Sequence, residues 1–183
     1  MPCTAQDALM YPGHFAIGLA IKAKVPRAPT IGLMIGVGLL DYLYGVFVMF
    51  GIEGGTFRHL DCTWSHSLVM SLLYSALFAA AFYRWGTRVV AAMAIAVFSH
   101  FMLDVLSHNP DMDLWPHSAV EMGLGPYFGG FGGWFELLVS VSGCSVYVLC
   151  ARRNGTFGRS PIVVCAMVAL TYIAEVVAVH GSA

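Results

Sequence analysis

Long apolar runs alternate with short polar connections along most of this 183-residue chain. A transmembrane helix needs about 20 mainly apolar residues, and five of the runs have about that length. A sixth run, 8–22, is shorter and contains Pro12 and Gly13. It has no basic region before it and no small-residue cleavage site after it, so we expect a retained helix and not a signal peptide. The pattern predicts about six transmembrane helices, of which the five longer ones are 30–50, 67–85, 88–107, 134–151 and 161–180.

The composition places the chain in a broad structural class. Hydrophobic residues make up 58% of it and charged residues only 10%, and the mean hydropathy is +0.76. These values are typical of a polytopic membrane protein and exclude an ordinary soluble domain. The longest polar connection, 108–133, is rich in glycine, and no repeat recurs at a fixed period. We therefore expect an all-α membrane helix bundle that forms one domain over residues 1–183.

The basic residues are distributed unequally between the two ends of the predicted helices. By the positive-inside rule, the end that carries most of them is cytoplasmic. Both termini and the loops 51–66 and 108–133 would then lie outside a bacterial inner membrane. The net charge is only −1, and the outer face keeps no basic patch that could hold nucleic acid. Arg58 is on the outer face, whereas the cytoplasmic face holds Lys22, Lys24, Arg27, Arg84, Arg88, Arg152, Arg153 and Arg159.

Several ionisable side chains fall within or next to the apolar runs, all at the predicted outer end. A charged side chain inside a bilayer costs at least ~2.5 kcal/mol, so such residues normally face the bundle interior and pair with one another. Single residues of this kind could be solvated helix caps or structural partners, but a layer contributed by five helices indicates a shared site. The residues of this layer are His14, Asp41, His66, His100, Asp104 and Glu136.

Spacing within the predicted helix 88–107 indicates metal chemistry. His100 and Asp104 are four residues apart, so they share one helix face and can bind the same ion. His108 lies about 12 Å from His100 along the helix axis, too far for both to bind one metal. Either Asp104 bridges two metals, with His108 on the outer one, or His108 moves protons beside the site. Imidazole and carboxylate ligands together suit Zn²⁺, and also Mn²⁺ or Fe²⁺.

The segments around these residues resemble a known family. The motifs GHFAIGLA, LLDYLYG, WSHSL and SHFMLDVLSHNPDMDLWP look like those of the bacterial inner-membrane proteins called membrane-bound metal-dependent hydrolases. The resemblance covers about residues 13–138, and its ligand order is similar to that of zinc-dependent phospholipase C enzymes. The chain departs from the family pattern at Leu43, where many members have a second aspartate. The resemblance implies that the metal ligands are His14, Asp41, His66, His100 and Asp104.

Two classes of function are compatible with this sequence. The first is a metal-dependent hydrolase that acts from the outer leaflet on a lipid or amphipathic ester or phosphoester, with Asp104 or Glu136 as general base. The second is a carrier that passes protons or metal ions through the same polar layer. A carrier is expected to have polar groups on both sides of the membrane midplane. The inner half of the predicted bundle is nearly free of such groups, which favours the enzyme.

Overall fold

A computed structural model describes residues 11–56, 59–107, 110–124 and 132–155, together with 165–166, 168–170 and 173. The described chain is mostly helical, which confirms the prediction of an all-α fold. Two short antiparallel ribbons accompany the helices: β1 (Gly54–Thr56) pairs with β2 (His59–Asp61), and β3 (Met112–Asp113) pairs with β4 (Glu121–Met122). The helices are α1 (Tyr11–Lys24), α2 (Thr30–Val37), α3 (Leu39–Met49), α4 (Thr63–His66), α5 (Leu68–Ala80), α6 (Thr87–Ser107) and α7 (Gly132–Arg153), with a 3₁₀ turn at Tyr83–Trp85.

The prediction of about six transmembrane helices is not supported by the described residues. Among these residues, the helix α6 is long and apolar enough to cross a membrane. If the bent pair α2 and α3 is counted as one segment, the described residues contain two such segments. The predicted span 30–50 is bent by 55° between α2 and α3, because Gly38 leaves helical geometry at φ −105° and ψ 5°. The predicted span 67–85 contains only the 13-residue α5 and the 3₁₀ turn. Most of the predicted span 161–180 lies outside the described residues.

The main core lies where α2, α5 and α6 pack together. Leu33 and Val37 from α2 meet Ala79 from α5 and Met93 and Ala96 from α6, all buried. Small alanine side chains allow the helix backbones to approach closely, which is the usual packing solution between helices in lipid.

Large apolar side chains cover much of the outer surface of this bundle. Met49 is 83% exposed and Phe50 76% exposed, and Ile31, Leu77 and Ile95 are also exposed. A water-soluble monomer rarely exposes so many large apolar groups, whereas a lipid-facing surface requires them.

The packing of α1 against α7 depends on the absence of a side chain at Gly143. A Cβ atom placed there would overlap the backbone carbonyl group and the Cβ of Ala16. Because backbone atoms cannot move aside as a flexible side chain can, even a methyl group would force the two helices apart. This contact matters for function because α1 also carries His14.

We predict that Gly143→Ala destabilises the protein by about 1–3 kcal/mol, the usual range for overpacking a tight contact. The matched control is Gly45→Ala in α3, where an added Cβ would meet nothing within 4 Å. Thermal unfolding of both variants in one detergent should show a lower midpoint for Gly143→Ala alone. Equal midpoints would contradict the close α1–α7 packing.

Candidate metal centre

Four separate helices bring five of the predicted site residues together. His100 and Asp104 lie one turn apart on α6, and the bend at Gly38 starts α3 so that Asp41 falls in its first turn. His66 is the last residue of the short helix α4, and His14 comes from α1.

The carboxylate of Asp104 makes the most contacts in this cluster. Its Oδ1 lies 3.2 Å from Nε2 of His14. Its Oδ2 lies 3.2 Å from Nε2 of His100 and 3.8 Å from Nε2 of His66. One buried carboxylate therefore touches all three imidazoles through the same ring nitrogen of each.

Asp41 contacts two of the same imidazoles from the other side. Its Oδ1 lies 3.4 Å from Nε2 of His66 and 3.4 Å from Nε2 of His100. The rings of His14 and His100 are also close, with centroids 4.1 Å apart. His100 thus belongs to two groups of three possible ligands, one with His14 and Asp104 and one with Asp41 and His66, and the ligand atoms of each group lie within 4.8 Å of one another.

These separations fit a coordination sphere. Two nitrogen or oxygen ligands, each about 2.0–2.1 Å from one ion in tetrahedral geometry, stand roughly 3.3 Å apart. The observed Nε2–Oδ distances of 3.2–3.4 Å match that value. Asp104 Oδ2 makes no hydrogen bond to the residues that the structure describes, although His100 Nε2 is 3.2 Å away, so the pair is close without the alignment that a direct N–H···O bond needs. The cluster therefore fits a divalent cation held between the side chains.

The charge of the cluster supports the same conclusion. The side chain of Asp104 is 6% exposed and that of His100 only 2%, so uncompensated charge there would be costly. Two ionised carboxylates carry two negative charges, and imidazoles that bind a metal through Nε2 are neutral and add none. A divalent cation would therefore neutralise the two carboxylates without a proton on any of the three imidazoles.

Hydrogen bonds from outside the cluster orient two of the histidine rings. His100 Nδ1 donates to the backbone carbonyl of Val37 over 2.7 Å, and because a carbonyl only accepts, the proton of the neutral ring lies on Nδ1. Nε2 is then left with a lone pair that points into the cluster. Ser65 Oγ donates to the Cys62 carbonyl over 3.3 Å, and its oxygen can therefore accept a hydrogen bond from His66 Nδ1, 2.7 Å away. Such second contacts are the usual way in which proteins fix metal-binding histidines.

Two predicted site residues fall beyond what the structure describes. His108 lies outside the described residues, so the two-metal and proton-transfer hypotheses both stay predictions. Glu136 lies in α7, but its side chain is not among those described.

Three groups next to the cluster were missed by the sequence interpretation. They are the Val37 carbonyl, the hydroxyl of Ser65 and the carboxylate of Glu53, which accepts hydrogen bonds from the start of α4. Ser65 could have been found, since it is adjacent to His66 in sequence. The carbonyl and Glu53 have no sequence signal, because their roles arise from how distant segments meet.

The fold and the site together define a helical membrane protein with a buried histidine and aspartate cluster. The chain belongs to the YdjM inner membrane protein family, whose model matches residues 10–180. This match confirms the expected membership of a bacterial inner-membrane family, and the chain is accordingly an inner membrane protein. No curated protein and no solved structure matches it.

We predict that Ser65→Ala weakens zinc binding about 10-fold, because loss of a partner that orients a ligand usually costs 10–100-fold. The control is Ser99→Ala, next to His100, where the hydroxyl donates only to the Ala96 carbonyl. Competition for zinc with a chromophoric chelator measures both affinities. If the two variants bind zinc equally well, Ser65 does not orient His66.

Proposed function

We propose that this protein is a membrane-embedded, metal-dependent hydrolase that acts on a lipid or amphipathic ester or phosphoester. The observation that carries the proposal is the gathering of three imidazole Nε2 atoms and two carboxylates into one cluster, in which the five Nε2–Oδ contacts span 3.2–3.8 Å. The residues that would hold the metal are His14, Asp41, His66, His100 and Asp104. Zinc is the ion that this ligand set suits best, with manganese and iron as alternatives.

The chemistry of the proposed site follows from its ligand set and its exposure. A divalent cation bound by these residues would supply Lewis-acid chemistry, which polarises a carbonyl or phosphoryl oxygen and lowers the pKa of bound water. Asp41 is the more accessible of the two carboxylates, with 24% of its side chain exposed against 6% for Asp104. We therefore assign Asp104 to holding the ion and orienting the three histidines. Asp41 would hold the ion through Oδ1, which contacts His66 and His100, and its second carboxylate oxygen would take a proton from an incoming water.

The surroundings of Asp41 support an amphipathic substrate. The same helix, α3, exposes Val46 and Met49, and Phe50 follows at its end. An acyl or other apolar chain could lie along this surface while a polar ester group enters the cluster. A fully polar substrate has no apolar chain that could pack against this surface.

The proposal includes the orientation of the protein in the membrane. We propose six membrane-crossing segments, some of them bent or broken, with both termini and the site on the outer side. The support is the placement of eight of the nine basic residues at the opposite end.

The orientation predicts which exposed positions react with a membrane-impermeant thiol reagent. In a chain with its five native cysteines replaced, Val120→Cys should be labelled in intact spheroplasts. Tyr83→Cys should be labelled only after permeabilisation. Both native side chains are exposed, so only the membrane should prevent the reagent from reaching either cysteine. Reversed labelling would place the site in the cytoplasm.

The metal prediction is at least one equivalent of zinc, manganese or iron in protein purified without chelator, measured by elemental analysis. His100→Ala and Asp104→Ala should each lose it, because both side chains contact the other possible ligands. The control is His117→Asn, an exposed histidine with φ 60°, a conformation that asparagine tolerates. Its metal content should equal that of the unmodified protein. Metal-free protein that also takes up no added zinc would contradict the proposal.

Hydrolytic activity is measured with the metal-loaded protein reconstituted into liposomes. We expect release of a headgroup or fatty acid from one class of a panel of phospholipids and glycolipids, abolished by chelator and by Asp104→Ala. Metal-loaded protein that hydrolyses no member of the panel but moves zinc or protons across the vesicle membrane would favour the carrier.

A further inference from the structure

The carboxylate of Glu53 makes an unusual connection between two segments that carry metal-ligand candidates. The residue is buried, and its Oε1 accepts hydrogen bonds from the backbone N–H groups of Trp64 over 2.7 Å and Ser65 over 2.8 Å. These are the two residues immediately before His66.

Helix α4 needs this contact because it is too short to be stable alone. It has four residues, and the N-cap residue Cys62 provides no side-chain hydrogen bond to its first turn. Nucleating a single helical turn is unfavourable in isolation, and the first N–H groups of any helix require acceptors from elsewhere. Glu53 supplies an acceptor for two of them and thus acts as an N-cap from a distant part of the chain.

Glu53 is itself fixed by the end of α3. The backbone N–H of Ile52 donates to the Phe47 carbonyl over 2.9 Å, and that of Glu53 donates to the same carbonyl over 3.4 Å. Helix α3 carries Asp41 in its first turn. The contact therefore joins the helix that holds Asp41 to the short helix that ends at His66.

We propose that Glu53 is a positioning residue, which holds α4 so that His66 and Asp41 reach the same ion. The inference rests on the proposed metal site. Its mechanism is specific: Oε1 acts as a hydrogen-bond acceptor, so a neutral amide oxygen at the same position should perform the task. The second oxygen, Oε2, is buried and makes no hydrogen bond to the described residues, so its replacement by an amide nitrogen removes no described bond.

The test compares Glu53→Gln, Glu53→Ala and Glu53→Asp with the unmodified protein, and uses Glu121→Ala as a matched control on an exposed glutamate. Zinc affinity is measured by chelator competition. We expect Glu53→Gln and the control to stay within about 3-fold of the unmodified protein and Glu53→Ala to fall by about 10–100-fold, as for other partners of metal ligands. Glu53→Asp keeps the charge but shortens the reach, so its affinity should fall between them. If Glu53→Ala does not fold, the Gln and Asp variants decide the question.

A second measurement is independent of the metal. Diethyl pyrocarbonate modifies accessible imidazoles, and mass spectrometry locates the modified residue in chelator-treated protein. His66 should become more reactive in Glu53→Ala than in Glu53→Gln. His100, which is held by α6 and by the Val37 carbonyl, should not change and serves as the internal reference.

The outcomes separate this inference from the proposed function. If the unmodified protein binds zinc and Glu53→Ala changes neither affinity nor His66 reactivity, the inference is overturned and the metal site stands. Equal losses in Glu53→Gln and Glu53→Ala would overturn the acceptor mechanism. If no variant binds zinc, the proposed function fails, and His66 reactivity alone then decides whether Glu53 positions that histidine.

Discussion

The contact of one buried carboxylate with three imidazoles is the interaction on which the rest of this structure depends. Asp104 lies in an apolar bundle, where an unpaired charge is costly, and it meets His14, His66 and His100 from three different helices. Helices α1 and α4 must therefore place their histidines at the depth of Asp104 in the bundle. The tight packing of α1 on α7 at Gly143 holds the helix that carries His14, and the bend at Gly38 starts the helix that carries Asp41.

The members of this cluster differ in their burial and in the contacts that hold them. His100 and Asp104 lie on one long helix, and a backbone carbonyl fixes the His100 ring. His66 lies at the end of a four-residue helix whose backbone N–H groups donate to Glu53, and its ring contacts Ser65. Asp41 is the most exposed member. A buried pair on α6 together with a more accessible Asp41 would suit the proposed metal site, which would have to keep an ion and still admit a substrate.

The five clustered residues could be predicted from sequence because each is an ionisable group in or beside an apolar run. Such a group requires a partner, and the four-residue spacing of His100 and Asp104 places two of them on one helix face. The apolar pattern also predicts the extents of α6 and α7 closely. The predicted ranges are 88–107 and 134–151, and the observed helices are Thr87–Ser107 and Gly132–Arg153. Hydropathy alone could not reveal the break at Gly38, because the residues on both sides are equally apolar. Nor could it reveal Glu53, whose role depends on the chain returning to α4 after the ribbon formed by β1 and β2.

X-ray absorption spectroscopy of the zinc-loaded protein tests the central claim most directly, because it reports the ligand atoms themselves. The account predicts a first shell of nitrogen and oxygen alone at about 2.0–2.1 Å, with the outer-shell scattering of imidazole rings. Cys62 lies only four residues before His66 in the sequence, so its thiolate sulfur is an alternative zinc ligand. A sulfur shell at about 2.3 Å, or a spectrum without imidazole scattering, would contradict the account.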